Sequence, residues 1–402
     1  MGTASVYIHV PFCAALCDYC DFFSVPTPVF AGKAQGADTP GLFVDAAIAD
    51  LESQLAFFGI RNVPSVYIGG GTPSVLGAAR MERLLSGLRD LLSPLDARPG
   101  EFTVEANPES LDAAFLRVCL DGGVSRLSLG VQTFHMASRR AIGRAGDPGR
   151  LSRGLSLAGE YFPGAFSADL MAGLPFQTRA VLSGDVERLL EFRPAHVSLY
   201  GLILEPETIL GRRAREAKGV PLPDGDEADG LWIAGRDALE KAGLRQYEVS
   251  NFAIPGKECA HNIRYWRMEN WLGVGPSASG TLIDEGRAPA TGRRFTYPAD
   301  IDGYLSAPGS PAGREDLSAG DLMRESLLMG FRYQGGPDPH GFARRFGRDI
   351  EGLIPGTLTR WRERGFFETE ATLAPSREGL LFVNGFLRDA FAEMEAGERA
   401  EA

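Results

Sequence analysis

Apolar residues follow two rhythms along the first half of the chain. Short runs rich in β-branched and aromatic residues predict strands at Ser5 to Val10, Ser65 to Gly69, Phe102 to Ala106, Arg126 to Val131, Phe166 to Met171 and His196 to Gly201. Between them, leucine and alanine recur every three or four positions, which predicts helices over Phe43 to Phe58, Ala78 to Leu92, Ser110 to Asp121 and Arg179 to Phe192. Six βα units in succession give an α/β fold with a parallel sheet, either wound both ways or curled into a partial (β/α)6 barrel. The placement of unusual residues favours the barrel. Cysteines follow strand one, Gly69-Gly70-Gly71-Thr72-Pro73 follows strand two, and Glu105-Ala106-Asn107-Pro108 ends strand three. Gln132 follows strand four, Asp169 lies in strand five and Tyr200 ends strand six. In a parallel barrel these places share one rim, where active sites are built.

The second half reads differently. Residues 205–279 return to the same rim, and a polar stretch near 301–320 reads as a linker. Helical patterning resumes at Leu322 to Phe331, Phe342 to Phe346, Leu353 to Arg364 and Gly379 to Met394. The expected division is a barrel with its extension at 1–300, a linker at 301–320 and a small, mostly helical domain at 321–395, ending in a frayed tail. The Gly-, Ala- and Pro-rich segment Val25 to Gly41 is longer than most connections, and it reads either as a cover over the cysteine loop or as a disordered insertion.

The chemistry starts at Cys13, Cys17 and Cys20, spaced C-x-x-x-C-x-x-C with no fourth cysteine close behind. Three thiolates on one iron–sulfur cube leave one iron open to another ligand, whereas a purely electron-transferring cluster is normally closed by four. Zinc competes for clustered cysteines, but structural zinc usually takes a second pair of ligands. Cys119 and Cys259 stand apart, and five cysteines in 402 residues are too sparse for a disulfide scaffold. The glycine run lacks the arrangement of a phosphate-cradling loop or of a dinucleotide site. Beside the cysteines, it reads as backbone that lets a ligand approach closely.

Charge narrows the partners. Lys plus Arg number 41 against 52 acidic residues, a formal charge of -11, which argues against a general nucleic-acid binder. No apolar run is long enough to span a bilayer. The bland reading of the acid excess is solubility.

These motifs together resemble the radical S-adenosylmethionine proteins. Within them, the chain is most similar to the coproporphyrinogen III oxidase group and its haem-chaperone branch. The resemblance is carried by Tyr7-Ile8-His9-Val10-Pro11-Phe12-Cys13, the turn from Gly69 to Ser74, Val104 to Pro108, Ser128 to Phe134, Asp169 to Thr178, His196 to Tyr200 and Gln246 to Phe252. It extends to His261-Asn262-Ile263-Arg264-Tyr265-Trp266, so it spans nearly the whole chain. It implies a [4Fe-4S] cluster on Cys13, Cys17 and Cys20, whose open iron chelates S-adenosylmethionine. In the family, cleavage of that cofactor yields methionine and a 5′-deoxyadenosyl radical. By matched position, Tyr7, Tyr19, Gly70, Gly71, Thr72, Glu105, Gln132, Arg144 and Asp169 would line the S-adenosylmethionine site.

Three departures separate the chaperone branch from the oxidases. Phe22 stands where the oxidase pattern carries a further cysteine, Cys13 lies almost at the start of the chain, and His261 to Trp266 matches the HNxxYW signature of the chaperones. Ala172 and Ser279 also depart from the family, standing where tyrosine and histidine are common. The resemblance implies a cytoplasmic haem chaperone that passes haem to an acceptor protein and has an electron donor for its cluster. It leaves homodimerisation and peripheral membrane contact open, and leaves open whether the chain turns over a substrate. Tetrapyrrole oxidation and a radical methyltransferase or cyclopropanase are the rival readings. On the same resemblance, His261, Arg264, Tyr265 and Trp266 are the haem contacts. Read from the residues alone, His261 is a core histidine bonded to its neighbours, and the aromatics fill an interface.

Overall fold

The computed structural model describes residues 2–27, 38–95, 98–144, 146–216, 219–286, 288–311, 313–369 and 371–401. Six parallel strands form its centre: β1 (Ser5–Val10), β2 (Ser65–Gly70), β3 (Glu101–Ala106), β4 (Arg126–Gln132), β5 (Phe166–Ala172) and β6 (His196–Gly201). They lie side by side in chain order and curl into a partial barrel, each within one residue of its sequence expectation. The crossovers are α1 (Thr39–Phe58), α2 (Gly77–Leu92), α3 (Ala113–Asp121), the helices α4 (Met136–Ala141) and α5 (Pro148–Tyr161), and α6 (Arg179–Leu190). Polar caps mark where several begin. Asp112 accepts from the Phe115 N–H (2.8 Å), Asp147 from Gly149 and Thr178 from Val181.

Alternation within the strands divides the sheet into two faces. Val6, Ile8, Val66, Ile68, Val104, Leu127, Leu129, Ala168, Val197 and Leu199 are buried in the layer shared with the helices. The residues between them, Tyr7, Tyr67, Glu105, Ser128, Asp169 and Tyr200 among them, face the concave side. The parallel sheet therefore has one dry face and one chemically equipped face.

The sheet continues beyond the six strands. On the β6 side, β8 (Asn251–Ala253) pairs antiparallel with β6 and β7 (Arg245–Gln246) closes the edge. On the other side, β9 (Trp271–Val274) pairs parallel with β1 and is followed by the antiparallel strands β10 (Ser279–Asp284), β11 (Thr291–Thr296) and β12 (Gly313–Leu317). The expected linker is corrected here: 301–320 contains a helix at Ile301–Ser306 and all of β12. β12 escaped notice because it is an edge strand whose Gly313 to Asp316 are exposed, so it has no buried alternation to read. The C-terminal unit is helical as expected, and its last helix runs Val383–Glu401 instead of fraying at 395. Its core is aromatic, with Phe366 stacked on Phe386 at 4.5 Å between centroids. The segment Val25 to Gly41, read either as a cover or as a disordered insertion, lies mostly outside the described residues. Of the described part, Val25–Pro26 pairs with Phe12–Cys13.

Among the described residues, no helix is long and apolar enough to cross a membrane.

Candidate functional site

A cavity of about 730 Å³ opens at the C-terminal ends of β1 to β6. Cys13, Cys17 and Cys20 line it from the loop after β1, and Tyr19, Gly70, Gly71, Thr72, Glu105, Gln132, Arg144 and Asp169 complete most of its wall. Of the residues expected there, only Tyr7 is not on the wall. It stands one layer below, where its hydroxyl donates to His9 Nδ1 (3.1 Å) while His9 Nε2–H donates to the Phe23 carbonyl (2.7 Å). His9 thus ties Tyr7 on β1 to the segment that follows the cysteines, and burial lowers the pKa of its ring, favouring the neutral form.

Backbone bonds fasten the glycine turn to the cysteine segment. The Gly71 N–H donates to the Val10 carbonyl (2.8 Å) and the Thr72 N–H to the Phe12 carbonyl (2.7 Å). A Cβ at Gly71 would come within 2.6 Å of that Phe12 oxygen, so any side chain there would push the turn off the loop. Thr72 Oγ1 also lies 3.4 Å from Cys13 Sγ. Gly70 adopts φ +101, a left-handed conformation that turns its N–H onto Glu105 Oε2 (3.1 Å).

Across the cavity, Glu105 Oε1 accepts from the Tyr67 hydroxyl (2.7 Å). Burial, with the Asp169 charge adding to it, pushes the Glu105 carboxyl up to about 7 against bonds from Tyr67 and Gly70. Burial likewise lifts Asp169 to about 6, although Ser198 bonds to it. Arg144 donates to the Gly130 carbonyl (2.5 Å) and to Cys17 Sγ (3.4 Å). Burial works against its charge, but Tyr19 and Cys17 outweigh that and hold it firmly protonated. Its Nε is buried without a partner among the described residues. At Gln132 the chain takes φ 67 beside an irregularity in the β4–β5 register, and this turns the amide to the wall.

The cysteines face one space, but among the described residues no three His, Cys, Asp or Glu side chains are gathered at metal-ligating distances. Burial raises the Cys20 thiol to about 11, so taking up a metal there would release a proton. The site fits a cluster with a small-molecule ligand on three counts. It has three soft donors on one loop, a glycine backbone edge without side chains, and a cavity of small-molecule size with carboxyls opposite.

Sequence reading missed several wall residues. Ser128, Glu109 and Arg212 line the cavity, and Glu109 is fixed by the buried Arg139 guanidinium at 2.5 Å. Ser128 alone carried a signal, as a polar residue at the inward position of a strand.

The comparisons agree with this geometry. A family model described as the radical SAM superfamily matches residues 7–189. Heme chaperone HemW of Lactococcus lactis is 36% identical over 88% of this chain and 88% of its own length. Heme chaperone HemW of Escherichia coli is 38% identical over 82% of each. The chain belongs to the radical SAM superfamily, in its HemW branch. Among solved structures, coproporphyrinogen III oxidase (HemN) from Escherichia coli superposes with a TM-score of 0.79. That match covers 97% of this chain and 90% of the oxidase at 20% identity, so the likeness is one of fold. Membership in the radical SAM superfamily implies a [4Fe-4S] cluster and S-adenosylmethionine.

The HemW signature lies at the other end of the barrel from the cysteines. His261 sits on the helix Ala260–Trp266, below the start of β2, roughly 17 Å of strand from Gly70. It is 1% exposed. Its Nδ1 bonds Ser65 Oγ (2.9 Å), and its Nε2 accepts from the Tyr265 hydroxyl (3.1 Å). Because Ser65 donates its own hydrogen to Ser5, Nδ1 carries the proton and the ring is neutral. Burial, helped by Arg264, drops its pKa to about 3. Glu101 holds this helix in place by accepting from the Ala260 and His261 N–H groups and from the Cys259 thiol. In this conformation His261 offers no free nitrogen to an iron. Arg264 is paired with Glu269, and Trp266 faces a different cavity.

Proposed function

We propose that this protein is a haem chaperone that carries a [4Fe-4S] cluster and S-adenosylmethionine and delivers haem to an acceptor protein. One observation supports the reading above all: the likeness to curated heme chaperones runs along 82–88% of both chains at 36–38% identity. In this reading Cys13, Cys17 and Cys20 hold three irons of the cluster and leave the fourth to S-adenosylmethionine. When bound, the pair supplies reducing electrons and a source of radical chemistry.

The chain's own residues do the positioning. Gly70, Gly71 and Thr72 offer unobstructed backbone and a hydroxyl to the methionine end. Glu105, Gln132 and Asp169 offer acceptors to ribose hydroxyls, and Arg144 and Tyr19 brace the cysteine loop. Tyr7 acts through His9, beneath that loop. An electron donor and the acceptor protein complete the cycle, and peripheral membrane contact and a homodimer are compatible with it. The barrel with its extension would bind both cofactors, and the C-terminal unit would help to close over haem.

The carboxyls give a pH signature. S-adenosylmethionine is a cation at sulfur, so it prefers Glu105 and Asp169 ionised. Its affinity should therefore fall as pH is lowered through about 7 and about 6, releasing fewer protons on binding above that window. The ligand-free chain should show the opposite trend. Both carboxyls are raised by folding, so their contribution favours the fold at low pH and is lost as pH rises from about 4 toward 7. Anaerobic calorimetric titration at a series of pH values checks the first trend, and a pH-independent affinity contradicts it.

The rival reading, oxygen-independent coproporphyrinogen III oxidation, is separated by product analysis. Coproporphyrinogen III incubated with reduced, reconstituted protein and S-adenosylmethionine should be recovered unchanged. Appearance of a product lacking carbon dioxide would replace the chaperone reading with an enzymatic one.

A further inference from the structure

Asp18 stands in the middle of the cysteine loop, between Cys17 and Tyr19, and two segments distant in the chain hold it from outside. Its N–H donates to the Ile142 carbonyl (2.9 Å), and its carbonyl accepts from the Leu210 N–H (2.7 Å). Its carboxylate Oδ2 accepts from Arg213 Nη1 (2.9 Å), and the same nitrogen donates to the Ala141 carbonyl (3.2 Å). One guanidinium nitrogen therefore bridges the cysteine loop and the end of α4. Just beyond α4, Gly143 adopts φ +69, and a Cβ there would stand 2.6 Å from Asp18 Oδ1, so this turn approaches the carboxylate more closely than a side chain would allow. The next residue is Arg144, which bonds Cys17 Sγ.

The second segment is the helix Ile209–Ala214, which follows β6 and begins at Thr208, whose hydroxyl accepts from the Gly211 N–H (3.0 Å). Thr208, Ile209 and Arg212 line the first cavity. β1 and β6 are the outer members of the six parallel strands and do not pair with each other. The contact of Asp18 with Leu210 and Arg213 therefore joins the loops at their C-terminal ends across the gap in the barrel. The cysteine loop has little to stiffen it from within: its Cys20 N–H donates to the Cys17 carbonyl over a long 3.3 Å. Groups outside a metal centre that fix its ligands commonly govern how tightly the metal is held.

We propose that Asp18 and Arg213 are positioning residues for the cluster, a clasp that keeps the Cys17 and Cys20 thiols aimed at one centre and slows the loss of iron from it. The inference rests on the three-cysteine cluster of the proposed reading and is independent of haem. The Arg213 side chain is 40% exposed and that of Asp18 19%. An ion pair so placed adds little to the stability of the whole fold, so an effect on the loop can be separated from one on folding.

The test is the rate at which an iron chelator bleaches the cluster absorbance of anaerobically reconstituted, full-length protein. The variants are Asp18→Ala, Arg213→Ala and the two combined, with Arg215→Ala as the control. Arg215 is an exposed neighbour whose guanidinium bonds the Pro206 carbonyl (2.8 Å). Expected are about tenfold faster bleaching in each single variant and wild-type bleaching in the control. The combined variant should be no faster than the singles, because both act through one contact. Thermal unfolding midpoints of the metal-free chains should match the wild type. Should Asp18→Ala fail to fold, Arg213→Ala decides alone. Wild-type bleaching in the single variants would overturn the inference and leave the cluster reading intact. Faster bleaching in step with a lowered metal-free midpoint would also overturn it, by making the pair a part of the general fold. A wild-type chain that takes up no cluster would remove the three-cysteine reading, and this inference with it.

Discussion

Cys17→Ala should leave the folded protein without its iron–sulfur chromophore. Reconstituted wild-type chain is expected to hold about four irons in one cluster, and the variant close to none. The reason is the ligand count: with three thiolates and one open iron, two thiolates would remain for a cube, and the cavity wall supplies no further thiol among the described residues, Met171 offering only a thioether. Among the described residues the remaining cysteines are elsewhere, Cys119 buried against the helices and Cys259 on the barrel floor beside Glu101. The fold should survive, because Cys17 is only half buried and its thiol contributes a single weak bond from the Arg144 guanidinium (3.4 Å). Iron analysis with visible absorption checks this, alongside circular dichroism as a fold control. A variant that keeps a normal brown chromophore would contradict the three-cysteine assignment.

The second large effect is on stability. His261→Ala should cost about 2–4 kcal/mol, from a lost buried ring and two orphaned hydroxyls. Ser65 would lose the Nδ1 donor and Tyr265 the Nε2 acceptor, while the Tyr67 ring, 5.1 Å from the imidazole, would face a cavity. A lowered unfolding midpoint with unchanged haem affinity is the expected pair of results, measured by thermal denaturation and haem titration. Undiminished stability together with lost haem binding would make the imidazole an iron ligand.

Much of this was legible in the chain because its rules are local. The three cysteines carry their ligand count in their spacing, and the strands carry their chemistry at inward positions, so Glu105, Gln132 and Asp169 could be placed on one rim before any coordinates. Tyr7 lies behind the cavity wall, and a motif gives its strand position but not the neighbour, here His9, that takes up its hydroxyl. His261 shows the same limit at larger scale. The HNxxYW pattern suggests a ligand, while Ser65, sixty residues from Ser5 and nearly two hundred from His261, satisfies the ring only after β1 and β2 have paired. Trp266 was marked only as part of that pattern; its place beside Ser326, Tyr333 and Phe342 arises only when the C-terminal unit packs on the barrel extension. β12 was hidden for the opposite reason, being too exposed for any core to impose a pattern on it.

The most direct test of the central claim is an anaerobic titration of haem into the cluster-loaded wild-type protein. A saturable Soret change at one haem per chain is expected, with haem recovered unaltered and released to a haem-free acceptor. Weak, unsaturable binding, or chemical conversion of the bound tetrapyrrole, would contradict it.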